Sequence, residues 1–160
     1  MENIELKLSF KVYDDPEKLD EEGKKLLQAA KQCANDAYAP YSNFNVGCAL
    51  LLEDGTLITG SNQENAAYPS GLCAERVAFF AASANHPNVK IKRIAVVARR
   101  NGEQHYIEAS PCGACRQVMM EYEDKQEDAI EVILIGDNGN LRVIPSVETL
   151  LPFKFTSRSL

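Results

Sequence analysis

Apolar and polar residues alternate from Ile4 to Val12. Ile4, Leu6, Leu8, Phe10 and Val12 fall on one face, and Glu5, Lys7, Ser9 and Lys11 on the other. A period of two predicts a half-buried strand. The period then changes. Leu19, Leu26, Leu27, Ala30, Ala34 and Ala37 recur at helical spacing to about Tyr38, and Pro40 stops the helix. Asp15-Pro16 reads as its cap and first position, although Gly23 weakens the early turns and moves the start towards Asp20. Phe44 to Leu52 reads as a strand in which Gly47 and Ala49 leave room alongside. Asp54-Gly55 signals a hairpin turn, and Thr56 to Ser61 returns.

The apolar run Val77 to Ala82 belongs to a second helix that opens at Cys73 and ends before Pro87. Ile91 to Ala98 is apolar and β-branched, the composition of a buried strand. A third helix follows Tyr106 to Ser110, with Ser110 as cap and Pro111 in the first position, and runs to about Tyr122. Glu131 to Ile135 and Leu141 to Ile144 read as strands around the turn Asp137 to Asn140. Ser146 to Leu150 suggests a short helix before Pro152. The order is α-β-β-α-β-α-β-β after the N-terminal strand. It predicts an α/β fold: a three-layer αβα sandwich about one mixed five-stranded sheet, with residues 1–15 as an extension carrying an extra strand. No repeat or linker divides residues 1–160, so a single domain is expected.

The candidate chemistry sits where two of these helices begin. Cys112 and Cys115, in Pro111-Cys112-Gly113-Ala114-Cys115, stand at i and i+3 and project to one side of a first turn. Cys73, in Cys73-Ala74-Glu75, opens the other helix. Both helices follow strands, so their N-termini can meet at one end of the sheet. The partial positive charge there favours thiolate, the form that binds zinc. Three thiolates leave a tetrahedral ion one open position, as catalytic sites do, and Glu75 lies beside it without being needed as a ligand. Three thiolates also over-neutralise Zn²⁺ by one charge. Arg76 and Arg116, which directly follow the two motifs, are candidates to compensate, at least one of them by donating to ligand sulfur. C-x-x-C alone would equally suit a redox pair or a structural zinc knuckle. Cys33 and Cys48 fall in apolar periodic segments and read as core residues. His86 and His105 match no motif and read as surface residues.

The pairing C-x-E…P-C-x-x-C is the three-cysteine variant of the zinc deaminase signature. With Ala37 to Phe44 (AYAPYSNF), Asn62 to Pro69 (NQENAAYP) and Cys112 to Gln117, it resembles the small homotetrameric cytidine deaminases from about Leu26 to Phe155. The resemblance implies one zinc per chain on Cys73, Cys112 and Cys115, and hydrolytic deamination of cytidine and deoxycytidine at C4 of the pyrimidine. Glu75 is then the proton carrier. The family pattern assigns the ribose contact to Asn62 and Glu64, the pocket aromatic to Phe44, a nearby ring to Tyr68 and backbone contacts with the base to Ala74. It gives Phe155 the C-terminal aromatic that reaches a neighbouring subunit's site. A homotetramer in pyrimidine salvage follows from the same likeness. Asn43 and Asn45 replace the Lys and Pro common in relatives, and Cys48 replaces a common Ala. The N-terminal extension has no counterpart in the pattern.

Charge narrows the substrate. The net charge is −6, and the basic clusters, Lys90 to Arg93 and Arg99-Arg100, are short and flank a strand. A nucleic-acid binder needs a basic surface, so a free nucleoside is expected and a polynucleotide is not. No apolar run approaches membrane-spanning length, the N-terminus lacks a signal-peptide order, and the cysteine usage suits a reducing compartment; together these predict a cytoplasmic location without membrane association. Other substrates of zinc deaminases (blasticidin, guanine, dCMP) fit the metal motif but not Asn62 and Glu64. A zinc-stabilised binding module is the reading from another class, and Glu75 beside an incomplete ligand set argues against it.

Overall fold

The computed structural model describes residues 1–160, the Asp137 side chain excepted. Its elements are β1 (Lys11–Tyr13), α1 (Glu21–Cys33), β2 (Phe44–Leu52), β3 (Leu57–Ser61), α2 (Ala74–Asn85), β4 (Ile91–Arg100), α3 (Gly113–Gln126), β5 (Glu131–Ile135) and β6 (Leu141–Ile144). The six strands form one mixed sheet in the order β1-β6-β5-β4-β2-β3. β4 and β5 are parallel and the other neighbouring pairs are antiparallel.

The near-continuous apolar runs of β2 and β4 arise because both faces of the sheet are covered. Cys48, Leu50, Leu52, Ile94, Val96, Val132 and Leu134 pack in one cluster with Ala78 and Phe79 of α2 and Met119 of α3. The alternate positions, Ala49, Leu51, Ala95, Val97 and Ile133, pack with Leu26, Leu27 and Ala30 of α1 on the other face. The Phe79 and Tyr122 rings, 5.3 Å apart, join α2 to α3.

Glycines set how closely two helices approach. At Gly47 a Cβ would overlap the Ala30 carbonyl oxygen of α1. At Gly60 it would lie 2.6 Å from the Ala78 nitrogen and 2.7 Å from the Ala74 oxygen. The first turns of α2 therefore press onto β3 through a missing side chain. β2 is antiparallel to both β3 and β4, so those two strands run the same way. α2 leaves the end of β3, and α3 comes after the end of β4. Their N-termini share one end of the sheet for that reason.

Several expected boundaries move. The expected extra N-terminal strand, β1, joins the five others beside β6 and makes the sheet six-stranded. β1 is shorter than the alternation from Ile4 to Val12: only Lys11–Tyr13 pairs, and Ile4, Leu6, Leu8 and Phe10 remain exposed. Asp15 and Pro16 start a separate 3-10 turn, Pro16–Lys18, and α1 proper begins after Asp20. Asp20 Oδ1 caps α1 by accepting from the Gly23 N–H at 2.7 Å, and Arg93 of β4 donates to the same oxygen at 2.6 Å. α1 ends at Cys33 and tightens into a 3-10 turn, Ala34–Asp36, short of Tyr38. α3 extends past Tyr122 to Gln126, where Glu127 turns left-handed at φ 57°.

The Lys90 to Arg93 cluster is neutralised locally. Lys90 pairs with Asp128, Lys92 with Glu22, and Arg93 with Asp20 and Glu131, while Arg99 donates to Asn35 and to the Glu103 carbonyl. Among the described residues, no helix is long and apolar enough to cross a membrane.

Candidate active site

Cys73 and Cys112 are the N-cap residues of α2 and α3, with extended backbones at φ −70°, ψ 155° and φ −67°, ψ 165°. This corrects the expected start of α3: Pro111 and Ser110 lie outside the helix, and the thiol-bearing residue takes the cap. Neither cysteine makes the side-chain cap bond that Asp20 makes for α1. The first N–H groups of both helices are left as a field of positive partial charge. Cys115 lies one turn into α3, fully buried. The three Sγ atoms lie within 4.8 Å of one another.

That donor set fits zinc. Bonds of ~2.3 Å to a tetrahedral ion place ligand sulfurs about 3.8 Å apart, inside the observed limit. The Cys73 thiol is lowered to about 5, first by the hydrogen bond from Cys115, against the opposing effect of burial, and then by Arg76. Cys115 is held above the usual thiol range by the same hydrogen bond and by burial. Cys33 and Cys48 are core residues well away from this role: both are buried, and burial pushes both thiols up.

Arg76 donates through Nη2 to Cys73 Sγ at 3.9 Å and to the Gly71 carbonyl at 3.5 Å, while its Nε is buried without a partner. Arg116 behaves differently. Its Nε donates to the Pro111 carbonyl at 2.7 Å and its Nη1 to the Leu150 carbonyl at 3.1 Å. Of the two arginines only Arg76 donates to sulfur; Arg116 instead ties the peptide before Cys112 to the C-terminal segment.

Glu75, the second residue of α2, is 4% exposed. Burial pushes its carboxyl up, and the Cys73 charge adds to that. A cleft of about 510 Å³ opens beside Cys73, lined also by Tyr41, Asn62, Glu64, Tyr68 and Arg76.

The expected substrate contacts distribute unevenly around this cleft. Glu64 Oε2 accepts from the Tyr41 N–H at 2.9 Å and the Ser42 N–H at 3.2 Å; Ser42 and these amides hold its carboxyl below the usual range. Asn62 is already engaged: its Oδ1 accepts from Val46 N–H at 2.8 Å and its Nδ2 donates to the Phe44 carbonyl at 2.9 Å. One Nδ2 hydrogen is left for a ligand. Tyr68 is 78% exposed on a 3-10 turn and meets the Tyr41 ring edge-on at 6.2 Å. Ala74 is buried in the first turn of α2. Phe44 begins β2, half-buried, and does not line the cleft. Phe155 does not line it either. Its ring is exposed and its carbonyl accepts from Gln117 Nε2 at 2.8 Å.

Asn43 and Asn45 explain how the cleft rim tolerates its departures from the family pattern. Asn43 is left-handed at φ 53°, which asparagine accepts more readily than lysine. Asn45 is buried and donates to the Ala34 carbonyl at 3.3 Å. Tyr41 escaped the sequence reading as a site residue, although its place in AYAPYSNF beside Ser42 was a signal. Exposed His105 pairs with half-buried Glu103, and His86 ends α2.

Comparison with known proteins agrees with this geometry. The family described as "Cytidine and deoxycytidylate deaminase zinc-binding region" matches residues 20–127. A curated cytidine deaminase of Sporosarcina psychrophila is 42% identical over 136 residues, 85% of this chain and 93% of that protein. One of Halalkalibacterium halodurans is 41% identical, covering 84% and 95%. The crystal structure of cytidine deaminase from Burkholderia pseudomallei superposes with a TM-score of 0.68 at 44% identity over 82% of this chain and 97% of that one. That from Mycobacterium tuberculosis gives 0.66 at 32% identity over 85% and 98%. On a family match spanning more than half its length and a three-thiol site at two helix N-termini, this chain belongs to the cytidine and deoxycytidylate deaminase family of zinc-binding enzymes.

Proposed function

We propose that this enzyme hydrolyses cytidine and deoxycytidine to uridine and deoxyuridine with release of ammonia, in pyrimidine salvage in the cytoplasm. The observation that carries the reading is Glu75: a buried carboxyl in the first turn of α2, two residues from Cys73 and within reach of its charge.

Cys73, Cys112 and Cys115 would hold one zinc per chain, and such an ion supplies a Lewis acid that acidifies water. Everything else falls to the protein. Glu75 takes a proton from the attacking water as oxygen bonds to C4, and delivers it to ring N3. It takes the second proton of that oxygen and gives it to the 4-amino group, which leaves as ammonia. Each proton accepted is delivered, so the carboxylate is restored at the end of the cycle. Arg76 offsets the negative charge of the thiolates, and Arg116 holds the peptide before Cys112. The Ala74 backbone faces the base.

Asn62 and Glu64 would take the ribose hydroxyls, and a carboxylate there repels a phosphate, which favours nucleoside over dCMP. Tyr68 closes the cleft on one side. Phe44, whose carbonyl accepts from Asn62 but whose ring does not line the cleft, is left without a substrate contact in this reading. Phe155, outside the cleft of its own chain, suits a contact with a neighbour's site in a homotetramer. Ammonia release from cytidine, deoxycytidine, dCMP and guanine tests the reading. Turnover of the two nucleosides alone is expected; equal or greater turnover of dCMP or guanine would contradict it.

A further inference from the structure

We propose that the N-terminal arm, residues 4–12, pairs antiparallel with the same arm of a second copy of this chain. The arm precedes the family-matched region, which begins at residue 20, and the inference is independent of the deaminase chemistry.

Ile4, Leu6, Leu8, Phe10 and Val12 are each at least half exposed, an unbroken alternate-position apolar stripe. β1 is the terminal strand of the sheet, with β6 on one side and an open backbone edge on the other. Its register pairs Val12 with Arg142 and Tyr13 with Leu141. Tyr13 and Leu141 join the core under α1, so the even-numbered stripe extends from the opposite face, where Val12 stays 56% exposed. An edge of this kind is a template for another strand.

The sequence of the arm selects its mate. In an antiparallel pair centred on Leu8, Glu5 stands opposite Lys11, Lys7 opposite Ser9, Ile4 opposite Val12 and Leu6 opposite Phe10. Every apolar residue meets an apolar residue, and both acidic positions meet basic ones. Shifting the register by two positions sets Lys7 opposite Lys7 or opposite Lys11, a destabilising like-charge pair. A slip of one position turns apolar side chains against polar ones. Parallel pairing in register would stack Glu5 on Glu5 and Lys7 on Lys7. Of the two arrangements that pair every residue from 4 to 12, in-register parallel and antiparallel about Leu8, only the antiparallel one satisfies charge and hydrophobicity together.

On the two-fold axis the Leu8 residues face each other at a Cα separation of about 4.5–5.5 Å, within disulfide reach. The test is Leu8→Cys in the zinc-loaded full chain, oxidised mildly and run without reductant. A covalent dimer several-fold above the parent level is expected, while Ser9→Cys, on the other face and off the axis, stays at the parent level. Adding Glu5→Lys to Leu8→Cys should reduce the dimer about tenfold, and adding Lys11→Glu as well should restore it. Parent-level cross-linking of Leu8→Cys, equal cross-linking of Leu8→Cys and Ser9→Cys, or indifference to Glu5→Lys would each overturn the proposal.

Discussion

Two glutamates are buried in adjacent helices, and their surroundings could hardly differ more. Glu123 of α3, 6% exposed, accepts from the Ile130 N–H at 2.7 Å, the Val147 N–H at 2.8 Å, the Glu148 N–H at 3.0 Å and the Ser146 hydroxyl at 2.7 Å. Its carboxylate is saturated by donors from the segments before β5 and after β6. Glu75 of α2 is buried as deeply but lies beside the thiol cluster, where burial and the Cys73 charge both push its carboxyl up. Burial alone does not distinguish a structural acid from a reactive one. The identity of the donors does, because a carboxylate enclosed by backbone N–H groups has no capacity left for a substrate proton.

Substituting each acid by its amide should separate the two roles. Glu75→Gln should lower cytidine turnover by roughly 10³-fold or more through loss of the proton carrier, with zinc content and thermal midpoint maintained. Near-normal turnover would show that the reactive acid lies elsewhere. Glu123→Gln should do the reverse. Its amide nitrogen would confront N–H donors, costing about 3 kcal/mol of unfolding free energy, while the remaining folded enzyme keeps its activity per zinc. A large activity loss without loss of stability would erase the contrast.

The helix caps sharpen the same comparison at a smaller scale. Cys112 is exposed and leaves α3 without a side-chain cap. Cys112→Ser should therefore stabilise the metal-free chain by about 0.5–1 kcal/mol, since serine is a good cap, yet bind zinc more weakly and lose stability in its presence. Denaturant titrations with and without zinc read the reversal of sign. Asp20 makes the smallest prediction. Arg93 and the Gly23 N–H hold its carboxyl below the usual range, so its contribution is complete above the unfolded pKa and lost as pH falls through the folded one. Asp20→Ala should cost about 1 kcal/mol near neutrality, with the difference from the parent shrinking as the carboxylate protonates below about pH 4.

What could be read in the sequence followed the range of the signal. The helix opening at Cys73, the hairpin at Asp54-Gly55 and the two apolar central strands are local patterns, and they stand where the periodicity put them. Asp20 was legible as the start of α1 because Gly23 weakened everything before it. Ser110-Pro111 misled by one or two positions, since Cys112, with its extended backbone, takes the cap itself. Ile4 to Phe10 alternates like a strand but has no partner within the chain; alternation reports a face to be covered, not what covers it. Glu123 was invisible because its donors lie 7 to 25 positions away and a helical glutamate ordinarily reads as solvated surface. Arg116 was legible as a neighbour of the site, but its bond to Leu150 depends on how the C-terminal segment returns to α3.

The central claim is that three cysteines hold one metal and that the chemistry depends on it. Zinc content and ammonia release from cytidine, measured on the same preparation before and during stepwise chelation, test that most directly. The expected result is about one zinc per chain, with metal and activity falling together and returning together on zinc addition. Ammonia release that persists after the zinc has gone would contradict it.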